Sequence, residues 1–311
     1  FFRRESFGDH ENMRDVDLLN ARFGISDRVQ FFRAAGDLPM VRITSPVSSA
    51  IISIYGAQVL SFTPTGHEDL LWVSPKSFYE AGKSIRGGIP ICWPWFSTHP
   101  SDSSKPSHGF SRLSYWHLRS VQSLPSDEMR LRMTLSEHDA TPDLFDYRFN
   151  AEVIFTIGKS LSIELRIENV DERDFKFTEA LHSYFNISDI RNVSLDGLDR
   201  TTYIDAVDQF NRKVQYGSIR FDEIVNRVYL HTSSDCFLRD ELFFRIIHIQ
   251  KSGSFSTIVW NPGELLSEIV ADMEPDSYRR MVCIEAANAS DNGITLAPLE
   301  VHSMTTTIGV E

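Results

Sequence analysis

Cysteine is scarce in this chain and cations are outnumbered, and each shortage removes a class of protein. Only three cysteines, Cys92, Cys236 and Cys283, occur in 311 residues, widely spaced and with no CxxC pair. Neither a disulfide framework nor a thiolate zinc site is suggested by that spacing. Lys and Arg number 31 against 43 Asp and Glu, a net charge of −12. Such a balance argues against a nucleic-acid partner, whose affinity comes mostly from neutralised phosphates. Any anionic ligand needs a local cluster of Arg or Lys working against the global field. No apolar run approaches the ~20 residues of a membrane span, so no membrane partner is expected. Gly (16) and Pro (13) are near average, which removes collagen-like and disordered classes.

The chain opens Phe-Phe-Arg-Arg-Glu and then turns polar and acidic, without the pattern of a signal peptide. Asn186-Ile-Ser188, Asn192-Val-Ser194 and Asn288-Ala-Ser290 match the glycosylation acceptor pattern at a near-chance frequency. A cytoplasmic location is the expectation.

What is abundant is alternation. Met129, Leu131, Met133 and Leu135 interleave with Arg130, Arg132 and Thr134, and Leu161, Ile163, Leu165 and Ile167 repeat the pattern. A period of two marks half-buried strands. Further strands are expected at 48–55, 69–73, 116–123, 150–157, 175–186, 227–231, 243–250, 254–260, 281–286 and 300–309. Many short strands with turn signals roughly every ten residues point to an all-β antiparallel sandwich. Helical periodicity is confined to about 11–23, with short turns near 142–145 and 275–280. No βαβ alternation appears, which disfavours a doubly wound sheet. The simplest organisation is an N-terminal arm, 1–35, followed by one sandwich domain, 36–311.

Several stretches do not fit a plain core. Ser84-Ile-Arg-Gly-Gly-Ile-Pro-Ile-Cys-Trp-Pro-Trp-Phe96 carries two prolines that forbid a central strand. It reads as an aromatic pocket wall, with Trp faces suited to sugar C–H faces and Gly87-Gly88 allowing close approach to a ligand. It reads equally as a buried loop over one end of the sandwich. Pro106-Ser-His-Gly-Phe-Ser-Arg112 offers His108 and Arg112, the latter suited to phosphate or to nothing more than the surface. In Phe177-Thr-Glu-Ala-Leu-His-Ser-Tyr-Phe185, strand geometry sets Thr178, Ala180, His182 and Tyr184 on one face. His182 is then either accessible to a ligand or a satisfied structural histidine. Glu285 follows the apolar run Met281-Val-Cys-Ile284 beside Ala286 and Ala287. Buried, it has the raised pKa of a useful base; exposed, it is an ordinary strand end. Trp260-Asn-Pro-Gly263 reads as a turn ending a strand, its Trp most simply core. Together the stretches supply one imidazole, one carboxylate, two guanidiniums and an aromatic wall, a set suited to acid–base chemistry on a small polar ligand.

Arg86-Gly-Gly-Ile-Pro-Ile-Cys-Trp-Pro-Trp-Phe96, His108-Gly-Phe-Ser-Arg112, Ala180-Leu-His-Ser-Tyr-Phe185, Asn226-Arg-Val-Tyr229, Trp260-Asn-Pro-Gly263 and Cys283-Ile-Glu-Ala286 occur in that order. This series resembles the glucose-6-phosphate 1-epimerases (hexose-6-phosphate mutarotases) of the aldose 1-epimerase superfamily, from about residue 40 to the C-terminus. The resemblance implies a galactose-mutarotase-like β-supersandwich that interconverts the α and β anomers of a hexose 6-phosphate without metal or organic cofactor. By match to the family's motifs, His182 is the general acid and Glu285 the general base. Arg86, His108, Arg112 and Asn226 match substrate-binding positions. The chain departs from the family at Ser107, where Gln is frequent, and at Asn226, where Asp is frequent. Both departures bear on substrate preference more than on chemistry.

Anomer exchange requires opening of the C1–O5 bond, rotation at C1 and closure on the other face. Glu285 can take the C1 hydroxyl proton while His182 delivers one to O5. Arg86 and Arg112, with Lys83 as a helper, are expected to hold the phosphate. The expected partner is a small sugar phosphate, and the expected state a monomer. The alternative is a non-catalytic sugar-phosphate or carbohydrate-binding protein on the same fold. A glycoside hydrolase needs two carboxylates, and Asp272 and Glu274 are expected on a solvated loop. A serine hydrolase is disfavoured because G-x-S-x-G is missing.

Overall fold

A computed structural model describes residues 14–139 and 143–311. Two eight-stranded sheets carry the architecture, and the named strand pairs are antiparallel. One runs in the order Asn211–Val214, Thr202–Asp205, Val225–Leu230, Ser256–Asn261, Met281–Asn288, Glu179–Leu181 and Ile91–Cys92, with Tyr184–Asn186 also on Met281–Asn288. The other runs Val193–Asp196, Cys236–Asp240, Arg245–Ser252, Val301–Val310, Leu161–Asn169, Phe149–Ile157, Met129–Ser136 and His117–Ser123. A four-stranded meander, from Val29–Arg33 to Gln58–Pro64, adds a third layer of strands.

The expected sandwich is what forms, and the alternation explains why. Phe149–Ile157 buries every second residue while Asn150, Glu152, Ile154 and Thr156 stay partly exposed. Its inward side chains join those of Met129–Ser136 and Leu161–Asn169 in one apolar cluster. From the facing sheet the same cluster takes Leu181, Phe185, Val259, Val282, Ile284 and Ala286. Burying each Ile or Leu contributes roughly 1.5–3 kcal/mol, and that shared interior sets the register of both sheets.

Met281–Asn288 breaks the pattern, because all eight residues are buried. Val282, Ile284 and Ala286 face the sandwich interior. Met281, Cys283, Glu285 and Ala287 therefore face the opposite side, under a second covering of side chains. That covered outer face is where the site lies.

Part of the expected arm is woven into the fold. The helix expected over 11–23 runs Val16–Phe23, with Asp15 accepting from the N–H groups of Asp17 and Leu18; residues 11–13 lie outside those described. Val29–Arg33 pairs with Pro39–Thr44, and Leu19, Val29 and Phe31 enter the core. The expected strand at 69–73 is reduced to isolated bridges, Leu71 with Phe185 and Val73 with Gly87. Of the expected short turns, Pro275–Arg279 is a 3-10 helix, residues 143 and 144 form a turn, and residue 142 lies outside those described. The strand Ser256–Asn261 ends at the turn read at Trp260–Gly263, and a two-turn α-helix with no expectation from the sequence, Gly263–Ile269, follows it. No helix among the described residues is long and apolar enough to cross a membrane.

Candidate active site

Register builds the site. Directly paired residues of an antiparallel sheet point the same way, so successive pairings lay side chains out in rows. Asn226 pairs with Trp260, Trp260 with Cys283, and Cys283 with Tyr184. One step along, Val228 pairs with Ile258 and Ile258 with Glu285. The pairings Leu181 with Ala286 and Tyr184 with Cys283 flank a short break and agree in register, which sets His182 opposite Glu285. The next row is small: Ser256, Ala287, Ala180 and Cys92. Two functional groups thus stand side by side, with space at one end and rings at the other.

His182 and Glu285 meet with Nδ1 and Oε1 3.4 Å apart, their side chains 9% and 1% exposed. Neither carboxylate oxygen of Glu285, nor Nδ1 of His182, has a hydrogen-bond partner among the described residues. Orphaned buried polar atoms cost about 1–3 kcal/mol each and are kept where a ligand or a reaction needs them. Burial pushes the Glu285 carboxyl well above its ordinary value, opposed by the charge of Arg112. Burial, reinforced by His108, Arg112 and Arg86, pushes His182 well below its ordinary value. The backbone holds His182 in place: its N–H donates to Pro90 and that of Tyr184 to Gly88.

The remaining groups gather around this pair. His108 lies edge-on to His182 with ring centroids 5.6 Å apart. Its Nδ1 accepts from the Ser97 N–H at 3.2 Å, so in the neutral ring Nε2 carries the hydrogen. Burial, with Arg112 and Arg86 nearby, holds His108 down at about 3, which makes it a neutral hydrogen-bond donor. Arg112 donates through Nη2 to the Ser107 carbonyl, while its buried Nε has no partner among the described residues.

Arg86 is held more firmly. Its Nε is 3.1 Å from both carboxylate oxygens of Asp272, and Nη1 donates to the Tyr184 hydroxyl at 3.2 Å. Asp272, expected on a solvated loop, is thus buried against a cation. Glu274, expected beside it, caps the Pro275–Arg279 helix. Lys83 lies outside the cluster's bonding, paired with Glu80 at 2.9 Å on the surface.

The aromatic wall differs from the expected one. Trp93 is fully buried among Phe110, Phe145, Phe149 and Phe177, and Trp95 packs on Phe110 and His99. Of that segment's aromatic rings, Phe96 comes beside the pair, at 6.4 Å from the His182 ring. The wall comes from elsewhere. Tyr184 stacks on His182 at 4.7 Å and 10°, and Trp260, taken for core, stands edge-on to both and is only partly buried. Gly87 and Gly88 also serve the protein rather than a ligand. Added Cβ atoms there would lie 2.4 Å from the Trp72 carbonyl oxygen and 2.1 Å from that of Val59.

His182, Glu285, Arg86, His108, Arg112 and the Asn226 row therefore converge, whereas Tyr184, Trp260 and Asp272 are additions. Tyr184 was visible as the i+2 neighbour of His182. Asp272 had no local signal, since its partner is 186 positions away.

A family model described as aldose 1-epimerase matches residues 39–309. A curated relative from Escherichia coli (strain K12), carrying the name "Putative glucose-6-phosphate 1-epimerase", is 34% identical over 261 residues, 83% of this chain and 86% of its own. One of the same name from Cenchrus ciliaris is 33% identical over 260 residues, 81% of this chain and 78% of its own. The crystal structure of a "putative mutarotase" from Salmonella typhimurium superposes with a TM-score of 0.86 at 30% identity, covering 93% of this chain and 95% of that one. At 14% identity a galactose mutarotase related enzyme from Lactobacillus acidophilus still superposes with a TM-score of 0.69 over 88% of this chain and 97% of its own, so the fold is the galactose-mutarotase-like sandwich. With residues 39–309 matched and the curated relatives covering most of its length, this chain belongs to the aldose 1-epimerase family.

Proposed function

We propose that this protein interconverts the α and β anomers of a hexose 6-phosphate, glucose 6-phosphate first among them. Glu285 accepts the proton of the C1 hydroxyl, and His182 delivers one to the ring oxygen as the C1–O5 bond opens. C1 then rotates, and closure on the other face returns both protons. The observation that carries this reading is the buried, otherwise unpartnered opposition of Glu285 and His182 at 3.4 Å. One proton shared by such a pair serves as acid on one side and leaves a base on the other, as a reversible proton exchange requires.

Each positioned transfer is worth roughly 10²–10⁴ in rate, and fixing the sugar against the pair supplies more. Arg112 and Arg86 hold the phosphate, with Arg86 aimed by Asp272 and Tyr184. His108 and Asn226 donate to sugar oxygens, and Trp260 covers a C–H face of the ring. Glucose 6-phosphate as substrate is supported by the names of the curated relatives and by two guanidiniums near His182 in a protein of net charge −12. In operation we assign it a monomeric state and a cytoplasmic location.

The reading is tested by dissolving crystalline α-glucose 6-phosphate and following its approach to anomeric equilibrium by rapid NMR, beside free glucose. The expected result is strong acceleration for the phosphate and little for glucose. Equal acceleration of both sugars overturns the phosphate assignment, and acceleration of neither overturns the activity.

A further inference from the structure

Cys283 has no part in the acid–base chemistry, yet it lies on the same face as both reacting groups. It is two residues before Glu285 on the strand and directly opposite Tyr184, the neighbour of His182 on that face. One donor atom from each of His182, Cys283 and Glu285 lies within 4.8 Å of the other two. All three residues are buried.

The geometry points to a zinc-binding site formed by His182 Nδ1, Cys283 Sγ and a Glu285 carboxylate oxygen, which excludes the sugar when filled. Nitrogen, thiolate sulfur and carboxylate oxygen are the ligands zinc prefers, and three protein donors with one open position make a complete tetrahedral set with water. Two donors ~2.0–2.1 Å from one tetrahedral ion are separated by about 3.3 Å. The Nδ1–Oε1 separation is 3.4 Å, so that edge of the tetrahedron already exists. The second observation is the vacancy in bonding: Nδ1 and both Glu285 oxygens have no hydrogen-bond partner among the described residues. Cys283 completes the set by a modest side-chain movement within the 4.8 Å cluster.

Charge permits it. Thiolate, carboxylate and Zn²⁺ sum to zero, and of the nearby cations Arg86 already answers Asp272. Arg112 remains and opposes the ion, which favours reversible binding over a permanent structural metal. Zinc takes the cysteine as thiolate, so filling the site releases the thiol proton. The ion would enter by the route a sugar must use, because the site shares His182 and Glu285 with the sugar. Filled, the site ties up the lone pair of His182 and an oxygen of Glu285, and anomer exchange stops.

The inference is tested on the intact protein without sugar, so that it stands or falls independently of the proposed activity. Zn²⁺ is titrated by calorimetry, and Co²⁺ serves as the spectroscopic probe. The expected result is one equivalent bound, with a thiolate-to-cobalt charge-transfer band. Cys283→Ser and Cys283→Ala, each checked for fold by circular dichroism, should lose that band and bind Zn²⁺ at least ~10-fold more weakly. Both should keep the uninhibited anomerisation rate while losing sensitivity to Zn²⁺, and in the parent Zn²⁺ should compete with the sugar. Absence of binding, a cobalt spectrum without the thiolate band, or unchanged zinc affinity in a folded Cys283 variant would each overturn it.

Discussion

Glu285 and His182 face each other across two neighbouring strands, 3.4 Å apart, with no other hydrogen-bond partner among the described residues for the facing atoms. Burial acts on them in opposite directions, raising the pKa of the carboxyl and lowering that of the imidazole. Over the range between, the pair holds one proton in common. It exists as carboxylic acid with imidazole or as carboxylate with imidazolium, and either form stores one donor and one acceptor.

That proton count predicts the pH profile. kcat/KM, referred to the dianionic sugar phosphate, should be bell-shaped with a broad top, its limbs belonging to the pair. The acid limb, where the pair takes a second proton, should lie well below the ~6.5 of an ordinary histidine. The alkaline limb, where the last proton leaves, should lie well above the ordinary carboxyl range. An acid limb centred near pH 6.5 would show His182 titrating as an exposed imidazole and contradict the coupling.

An unpartnered buried carboxyl should also cost stability. Glu285→Leu should abolish activity and stabilise the fold, by about 1–3 kcal/mol near neutral pH. The sign follows from linkage. A folded-state pKa raised above 4.5 means the unfolded chain ionises first, so the parent loses stability as pH rises from about 4.5 toward the folded value. Chemical denaturation from pH 4 to 8 should show the gap between variant and parent widening with pH. A gap that is flat, or of opposite sign, would mean that Glu285 is satisfied in solution.

Arg112 is the charge that opposes burial at Glu285. Arg112→Gln should raise KM for glucose 6-phosphate at least ~10-fold and erase the preference over glucose. It should also move the alkaline limb further up, because the carboxyl loses the cation that opposes its burial. Steady-state kinetics across pH read both effects, and an unchanged limb with a changed KM would place Arg112 on the phosphate alone.

The two tryptophans should separate binding from folding. Trp93→Ala removes a fully buried ring and should cost ~3–5 kcal/mol. Trp260→Ala opens the wall beside His182 and Tyr184 and should raise KM with a smaller loss of stability. Denaturant midpoints and KM for the two variants check this directly, and the reverse pattern would restore Trp93 as the sugar-facing ring.

The long strands were legible because each has one wet face, as in Met129–Ser136 and Leu161–Asn169. Val193–Asp196, Thr202–Asp205 and Asn211–Val214 were not, being four residues long with too little pattern to register. For the site, strand alternation set His182 and Tyr184 on one face and the apolar run led to Glu285, but the roles of His182 and Glu285 came from the family's motifs. Direction was the missing information. Trp93 and Trp260 are the same residue type beside similar Pro-containing turns, and only the pairing of strands sends one inward and the other toward His182 and Tyr184. The Arg86–Asp272 pair was invisible for a related reason, since its two halves are joined by tertiary folding alone.

The central claim is that the opposed pair performs the exchange, and rapid NMR of α-glucose 6-phosphate with parent, Glu285→Gln and His182→Asn proteins tests it most directly. Both variants should remain folded and still bind the sugar phosphate, while the rate falls by roughly 10²–10⁴ in each. The double variant should lose little more than either alone, because the two groups act as one unit. A folded Glu285→Gln protein that equilibrates the anomers at the parent rate would contradict the account.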